Sequence, residues 1–416
     1  MKKEGEFFGA ALFFIFLLIY YLGSFSKVPF GDGIGFVTDI EKQEFVFSTN
    51  TYAHFLFTNI GVFFQKLFPF IESAEIAKFV TITSAAGTVA VFYWIVSFLG
   101  NSFSGFFGAV IFGFSFSFWK NAEIVEIYTL NIFCIALFIF FIIKYLMERR
   151  EKWLLIGSVI LGISMFSHIQ NILLIPAFLL VLTRFSDFKT SVKCVAVFTF
   201  FLFLLFLIPI LNNEPVSGVI SSGTALSQIN YSGFLKSFVS SFAYLFYNFW
   251  YFTVLAFFGM VFLYRSNFKI FIFLIAIAVP VYCFSVFFNV SDNYVFFIPF
   301  NFTFAVFIAF GIFALQRKKW IRMLAYTAFL IPALYYVTFK IASQNEKARE
   351  FSEKKEYKGG LRYYLLPWMK NNVGILEFTI ENRQAPEAMY WMTRSAKEFI
   401  LLKKAKGYND KQIKKL

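Results

Sequence analysis

The sequence predicts an all-α polytopic membrane protein, and three observations carry that prediction. Of its 416 residues 59% are apolar and only 15% are charged, with a mean hydropathy of +0.68. A water-soluble globule has no interior large enough for so much apolar surface. The 67 Phe, 21 Tyr and 7 Trp fall mostly in long uncharged runs, as in chains that meet lipid. The same numbers exclude collagen-like, coiled-coil, disordered and disulfide-scaffold classes.

The apolar run from Phe7 to Phe25 follows Lys2 and Lys3 and reads as an uncleaved first span, because no small-residue cleavage site follows it. Further runs of helical length begin near Ile76, Phe103, Ile127, Trp153, Ile172, Val192, Phe249, Phe268, Tyr294 and Ile321, giving about eleven transmembrane helices. Short-loop cations set orientation. With the N-terminus in the cytoplasm, the inner loops collect Arg149, Arg150 and Lys152; Arg184, Lys189 and Lys193; Arg265 and Lys269; and Arg317, Lys318, Lys319 and Arg322. That pattern holds only if Tyr52 to Phe70 does not cross. Interrupted by His54, Asn59, Gln65 and Lys66, this segment is expected to lie flat as an interfacial helix, residues 52–70 of an outer loop 27–75.

Two regions follow: a transmembrane domain over 1–341 and a basic helical tail over 342–416, placed outside by parity. The formal net charge is +14, and the 16 basic and 9 acidic residues from Ser343 onward put half of it in the tail. Most of the remainder sits in short loops beside apolar spans, so topology explains the basicity better than a nucleic-acid partner does. Cys134, Cys194 and Cys283 lie in or at the ends of apolar runs without metal-ligand spacing, and are expected to be packing residues. No repeat of fixed period is found.

Four polar clusters fall on the outer side of this topology, where each group must be solvated, paired or used. The first is the turn Gly31-Asp32-Gly33-Ile34-Gly35, one carboxylate among glycines that let a ligand approach closely. Its bland alternative is an Asx-type turn capped by Asp32. The second, Trp119 to Asn131, carries Lys120, Glu123, Glu126, Tyr128 and Asn131. On a continuous helical turn Glu123 and Glu126 would share a face and raise each other's pKa, the alternatives being a helix cap and Trp/Tyr interface anchoring. The third, Ser167-His168-Ile169-Gln170-Asn171, is as readily a hydrogen-bonded structural turn. In the fourth, Ser291-Asp292-Asn293-Tyr294, Asp292 would serve as an N-cap. What favours function is that all four share one side, whereas structural caps should occupy both.

Taken in order, the Gly31-Asp32 turn, the helix around His54, the stretch Phe114 to Asn131 with its Trp-x-x-Ala-x-x-x-Glu-x-Tyr-x-x-Asn core, the His168 turn, and Asp292 followed by Tyr294 to Pro299 resemble the protein O-mannosyltransferase-like members of the polytopic C-type glycosyltransferases. The resemblance runs from the first span to about Gly311 and leaves out the tail. It implies the C-type glycosyltransferase fold and an inverting enzyme that moves a sugar, mannose among the candidates, from a polyprenyl-phosphate donor to a hydroxyl of a protein or other envelope acceptor. It implies Asp32 as general base, with His54, Lys120, Glu123, Glu126, Tyr128, Asn131, His168, Asn171, Lys236 and Asp292 as substrate-binding residues. Among these, Lys120, His168 and Lys236 are the candidates for the leaving phosphate, and Glu126 and Tyr128 for sugar hydroxyls. No cofactor is required, though a divalent metal stays open. The implied place is a bacterial inner (plasma) membrane, with the active site extracytoplasmic. The chain departs from the family pattern at Gly35, where a second acid is usual, and at Phe55-Leu56-Phe57, which replace a proline-rich segment.

Two rival readings stand beside this one. A transporter would call for ionisable or helix-breaking residues near mid-membrane and often an inverted repeat, whereas the charges here cluster at span ends. A non-catalytic envelope assembly protein would share the topology and lack the chemistry.

Overall fold

The computed structural model describes residues 3–48, 54–219, 233–288, 290, 292–385 and 389–416. Tyr52, Ser291 and part of the expected outer stretch from Asn212 to Asn248 lie outside the described residues. In chain order the helices are α1 (Lys3–Gly23), α2 (Gly33–Lys42), α3 (Phe55–Leu67), α4 (Ser73–Leu99), α5 (Ser102–Gly113), α6 (Phe116–Glu123), α7 (Tyr128–Glu148), α8 (Glu151–Ser164), α9 (Ile175–Phe185), α10 (Phe188–Leu211), α11 (Phe234–Phe249), α12 (Thr253–Ser266), α13 (Phe268–Phe287) and α14 (Ile298–Leu315). Helices α15 (Lys319–Tyr326) and α16 (Ile331–Ala342) complete the bundle, and the tail supplies α17 (Glu346–Lys354), α18 (Gly360–Leu365), α19 (Ile375–Ile380), α20 (Tyr390–Ala405) and α21 (Asp410–Ile413).

By length and composition 8 segments of the described residues are able to cross a membrane, and 9 if the bent pair α5–α6 is one span. This is an integral membrane protein. The expected count of about eleven is not reached on those grounds: the apolar segment Ile169–Phe185 falls in the shorter 10–17-residue class and α8 has only 14 residues. Lipid-facing side chains such as Phe14, Leu18, Phe200, Phe203 and Ile210 stay exposed, while Phe92, Phe112, Phe138 and Phe302 fill the bundle interior.

A break inside the bundle aims the second polar cluster. Helices α5 and α6 meet at 65°, and such a break frees backbone groups that lipid cannot satisfy. Buried side chains take them up: the Tyr20 hydroxyl donates to the Gly113 carbonyl at 2.8 Å, and the Tyr335 hydroxyl to that of Phe114 at 2.8 Å. Asn248 accepts the Ser117 amide at 2.8 Å. Held in this way, α6 delivers Glu126 to the start of α7.

Helix α7 then carries the chain about 31 Å, at 1.5 Å per residue, from that cluster to the basic loop at Arg149. At this far end the Tyr145 hydroxyl and the Arg149 guanidinium both donate to the Phe185 carbonyl, and Lys193 pairs with Glu151. The cation-rich loops and the polar clusters therefore sit at opposite ends of the bundle.

The tail is built onto the polar end. Asn372 receives the Lys27 amide at 3.0 Å and donates to the Lys27 carbonyl at 2.9 Å, and the Ile375 amide bonds the Val28 carbonyl at 3.0 Å. Phe30 packs edge-on against Tyr357 and Phe378. One apolar core unites Ile34, Val37 and Ile40 of α2 with Leu376, Phe399 and Ile400 of the tail. Behind it Lys403 of α20 bonds Glu41 of α2 at 3.0 Å and Glu72 before α4 at 2.5 Å, and Lys406 also reaches Glu41.

Lys403 and Glu41 are only 4% and 2% exposed, so removing the cation strands a buried carboxylate. Because Lys406 remains on Glu41 and Glu72 is partly solvated, Lys403→Met is expected to cost about 2 kcal/mol, below the usual range for a buried pair. Lys404, whose pair with Asp410 is half-exposed on both sides, should change stability by no more than about 0.5 kcal/mol on Lys404→Met. Melting of the two purified variants in one detergent checks this, and equal melting temperatures would contradict it.

Candidate active site

The Gly31-Asp32-Gly33 turn lies against the backbone just after α6, and two of its glycines are required there. Gly31 has φ +148°, and a Cβ on it would stand 3.0 Å from Glu126 Oε1. A Cβ on Gly33 would stand 2.5 Å from the Val125 carbonyl oxygen, closer than any side chain tolerates. Gly35 faces open space.

Asp32 occupies the N-cap position of α2, yet its side chain makes no capping bond. Asp292 likewise precedes the 3-10 turn Asn293–Phe297 without capping it. The capping roles that the sequence allowed both acids are therefore unused. An N-cap substitution typically costs about 1 kcal/mol, so leaving both caps unmade forgoes stability at these two positions. The backbone amides of Asp32 and Ile127 lie close enough to the Glu126 carboxyl to favour its charged form, so the first outer loop packs against the start of α7.

The three acids feel one another. Burial first, then the Asp292 charge, pushes the Asp32 carboxyl up to about 6. Burial and the charges of Asp32 and Asp292 raise Glu126 well above the usual carboxylate range, against the opposing effect of two nearby backbone amides. Burial also raises Asp292, which Lys358 partly offsets. Neighbouring acids share out protons in this way: Glu126 keeps its proton to higher pH, while Asp32 is ionised above about 6.

Other groups surround them. Tyr128, on the first turn of α7, interacts with all three acids. His168 lies 6.0 Å from the Tyr128 ring and 5.1 Å from the His54 ring, centroid to centroid. The Leu56 amide bonds the Phe166 carbonyl at 3.1 Å and Gln170 Nε2 bonds that of Phe296 at 3.0 Å, tying α3, the histidine turn and the Asp292 loop together. Asp32, Glu126, Tyr128, Asp292, His54 and His168 thus converge.

The remaining predicted residues are placed elsewhere. Glu123 and Glu126 do not share a face, because α6 ends at Glu123 and Ile124 is extended at φ −110° and ψ 154°. Glu123 turns back to accept from Trp119 Nε1. Lys120 is buried, donates to the Tyr363 carbonyl and stands 4.0 Å above the Tyr363 ring. Asn171 donates to Asn131 Oδ1 at 2.7 Å and to the Ser164 carbonyl at 2.9 Å in the interior, holding the histidine turn on α7. Lys236 is exposed at the start of α11.

Three groups unremarked in the sequence come from the tail: Lys358, Tyr363 and Tyr364. Burial first, then Lys355, lowers the Lys358 ammonium to about 8 against the pull of Asp292. Tyr363 interacts with Glu126 and Asp292. The pairs Gly359-Gly360 and Tyr363-Tyr364 were the available signal, since positive φ at both glycines folds the chain back here. Among the described residues no group of three or more His, Cys, Asp or Glu is arranged to hold a metal ion.

Residues 54–191, about a third of the chain, match the family described as the protein O-mannosyl-transferase TMEM260 N-terminal domain. No curated protein sequence matches. Among solved structures, ArnT from Cupriavidus metallidurans bound to undecaprenyl phosphate superposes with a TM-score of 0.59 at 11% identity, covering 94% of this chain and 75% of that one. The apo state of ArnT gives 0.58, also at 11% identity, with the same coverage. The Archaeoglobus fulgidus oligosaccharyltransferase in complex with Zn and sulfate gives 0.54 at 11% identity, over 91% of this chain and 58% of that one. At that identity the likeness establishes the fold, which the tail shares in, and the fold is that of the C-type membrane glycosyltransferases, as the sequence resemblance implied.

Proposed function

We propose that the protein is an inverting membrane glycosyltransferase that moves a sugar from a polyprenyl-phosphate donor to a hydroxyl of a protein or other envelope acceptor. One observation carries the reading: an aspartate at an N-cap position that does not cap, sharing protons with two further acids where the polar loops meet. The ArnT structure with undecaprenyl phosphate supports the donor class, and the family matched over 54–191 supports a hydroxyl acceptor and mannose as the first sugar to test.

In this reaction Asp32 takes the proton of the acceptor hydroxyl while that oxygen attacks the anomeric carbon. The bond from that carbon to the phosphate oxygen breaks, and its electron pair leaves with the lipid phosphate. A single displacement from the far face inverts the centre. Glu126, protonated, holds the loop without competing for the proton. The leaving phosphate needs a cation, and Lys358, which interacts with Asp292, stands as a candidate beside Lys120 and Lys236. Its depressed pKa of about 8 leaves it mostly charged at neutral pH.

The transporter reading predicts solute movement that survives Asp32→Asn, and the assembly reading predicts no turnover in either form. In proteoliposomes with polyprenyl-phosphate mannose and an acceptor peptide, Asp32→Asn should lower turnover by about a hundred- to ten-thousand-fold. Unchanged turnover would reject the general base. A base must be deprotonated to act, so wild-type activity should fall roughly tenfold per pH unit below about 6.

The proton sharing has a separate readout. Water-soluble carbodiimides attack protonated carboxyls, so labelling of Asp32, followed by peptide mass spectrometry, should fade as pH rises through about 6. Because the Asp292 charge raises Asp32, Asp292→Asn should move that midpoint to lower pH. A midpoint that stays put would mean the two acids are uncoupled.

A further inference from the structure

The two histidines of the chain have fixed and complementary tautomers. His54 Nδ1 stands 3.1 Å from the Ser167 carbonyl oxygen. A carbonyl only accepts, so Nδ1 carries the proton and Nε2 of the neutral ring is a bare acceptor. His168 Nδ1 accepts the Gln170 amide at 3.0 Å, which puts its proton on Nε2 as a donor. Both rings are neutral at physiological pH. Burial lowers His54 to about 4 against the pull of the Ser167 bond, and burial with the neighbouring ring holds His168 well below its ordinary value.

Their rings are tilted at 33° to each other and are both half-buried. The other ring nitrogens have no hydrogen-bond partner among the described residues. Aromatic rings flank the pair: Tyr128, tilted, and Phe296, edge-on, each at 6.0 Å from His168, and Phe36, edge-on, at 6.0 Å from His54. An ion gains little from two neutral imidazoles, and an apolar group would leave a donor and an acceptor unmade. A hydroxyl satisfies both at once, and the aromatic walls suit the C–H faces of a saturated ring.

We propose that His54 and His168 form the hydroxyl-recognising part of the donor sugar subsite, which takes a neutral hexose. One sugar hydroxyl accepts from His168 Nε2 and donates to His54 Nε2. The inference rests on the donor class proposed above, and it assigns the histidines to the sugar and not to the leaving phosphate.

Asparagine tests it with little structural cost. At position 54 it tolerates φ +34° and still offers an N–H to Ser167; at position 168 it keeps an oxygen for the Gln170 amide. In nanodiscs, wild type should bind polyprenyl-phosphate mannose or polyprenyl-phosphate glucose more tightly than bare polyprenyl phosphate. His54→Asn and His168→Asn should each cut that preference about tenfold, in the range of a hydrogen bond left unmade, with bare-lipid affinity unchanged. On wild type, one member of a single-deoxy mannose donor series should lose as much, and His168→Asn should add nothing to its loss.

If wild type prefers the sugar-bearing lipid while both variants and all deoxy donors keep the preference, the pair has no such role and the donor class stands. If the variants weaken bare lipid equally, their role is structural and the proposal falls. If wild type does not distinguish the lipids, or binds neither, the donor class fails and takes the proposal with it.

Discussion

The site depends on one contact, the docking of the Gly31-Asp32-Gly33 turn on Val125 and Glu126. Two glycines admit the close approach, and the Asp32 and Ile127 amides favour the charge of the Glu126 carboxyl beside them. This contact joins residues nearly a hundred positions apart. It also sets the proton distribution. A second acid so close cannot ionise freely beside the first, so the anchor holds its proton and the turn keeps the charge. Anchoring and acid–base assignment are thus the same interaction seen twice.

Several elements upstream exist to let that contact form. The break between α5 and α6 leaves carbonyls that would be costly in lipid, and Tyr20 and Tyr335 answer them from α1 and α16. Without the break, the chain after α6 would not present Val125 and Glu126 to the first loop. From the other side, the tail clamps Lys27 and Val28 through backbone bonds and grips α2 through Lys403 and Lys406. The turn carrying Asp32 is therefore held at both ends: by Glu126 beneath it and by the tail along the helix that follows.

The sequence discloses much of this and hides a definable part. Asp32, Glu126, Tyr128, His54, His168 and Asp292 are legible because loop cations, through charge rules, put all of them at one end of the bundle. The separation of Glu123 from Glu126 is not legible. Helical spacing places them together, and only the extended backbone at Ile124 parts them. Lys120 is hidden differently, since its partner Tyr363 lies 243 residues on and no local pattern announces so distant a contact. The same distance conceals Lys358, which reads as one basic residue among many in the tail.

The tail's basicity then has a physical meaning beyond topology. Three acids gathered at the end of a bundle repel one another, and an arrangement of that kind needs nearby cations to persist. Lys358 stands beside Asp292, while Lys403 and Lys406 neutralise Glu41 and Glu72 on the elements that flank the turn. One segment of chain thus supplies the mechanical clamp on α2 and the countercharge for the acids. The Asp32 carboxylate is ionised near neutrality and, among the described residues, has no cation bonded to it, the state that the proposed general-base role calls for.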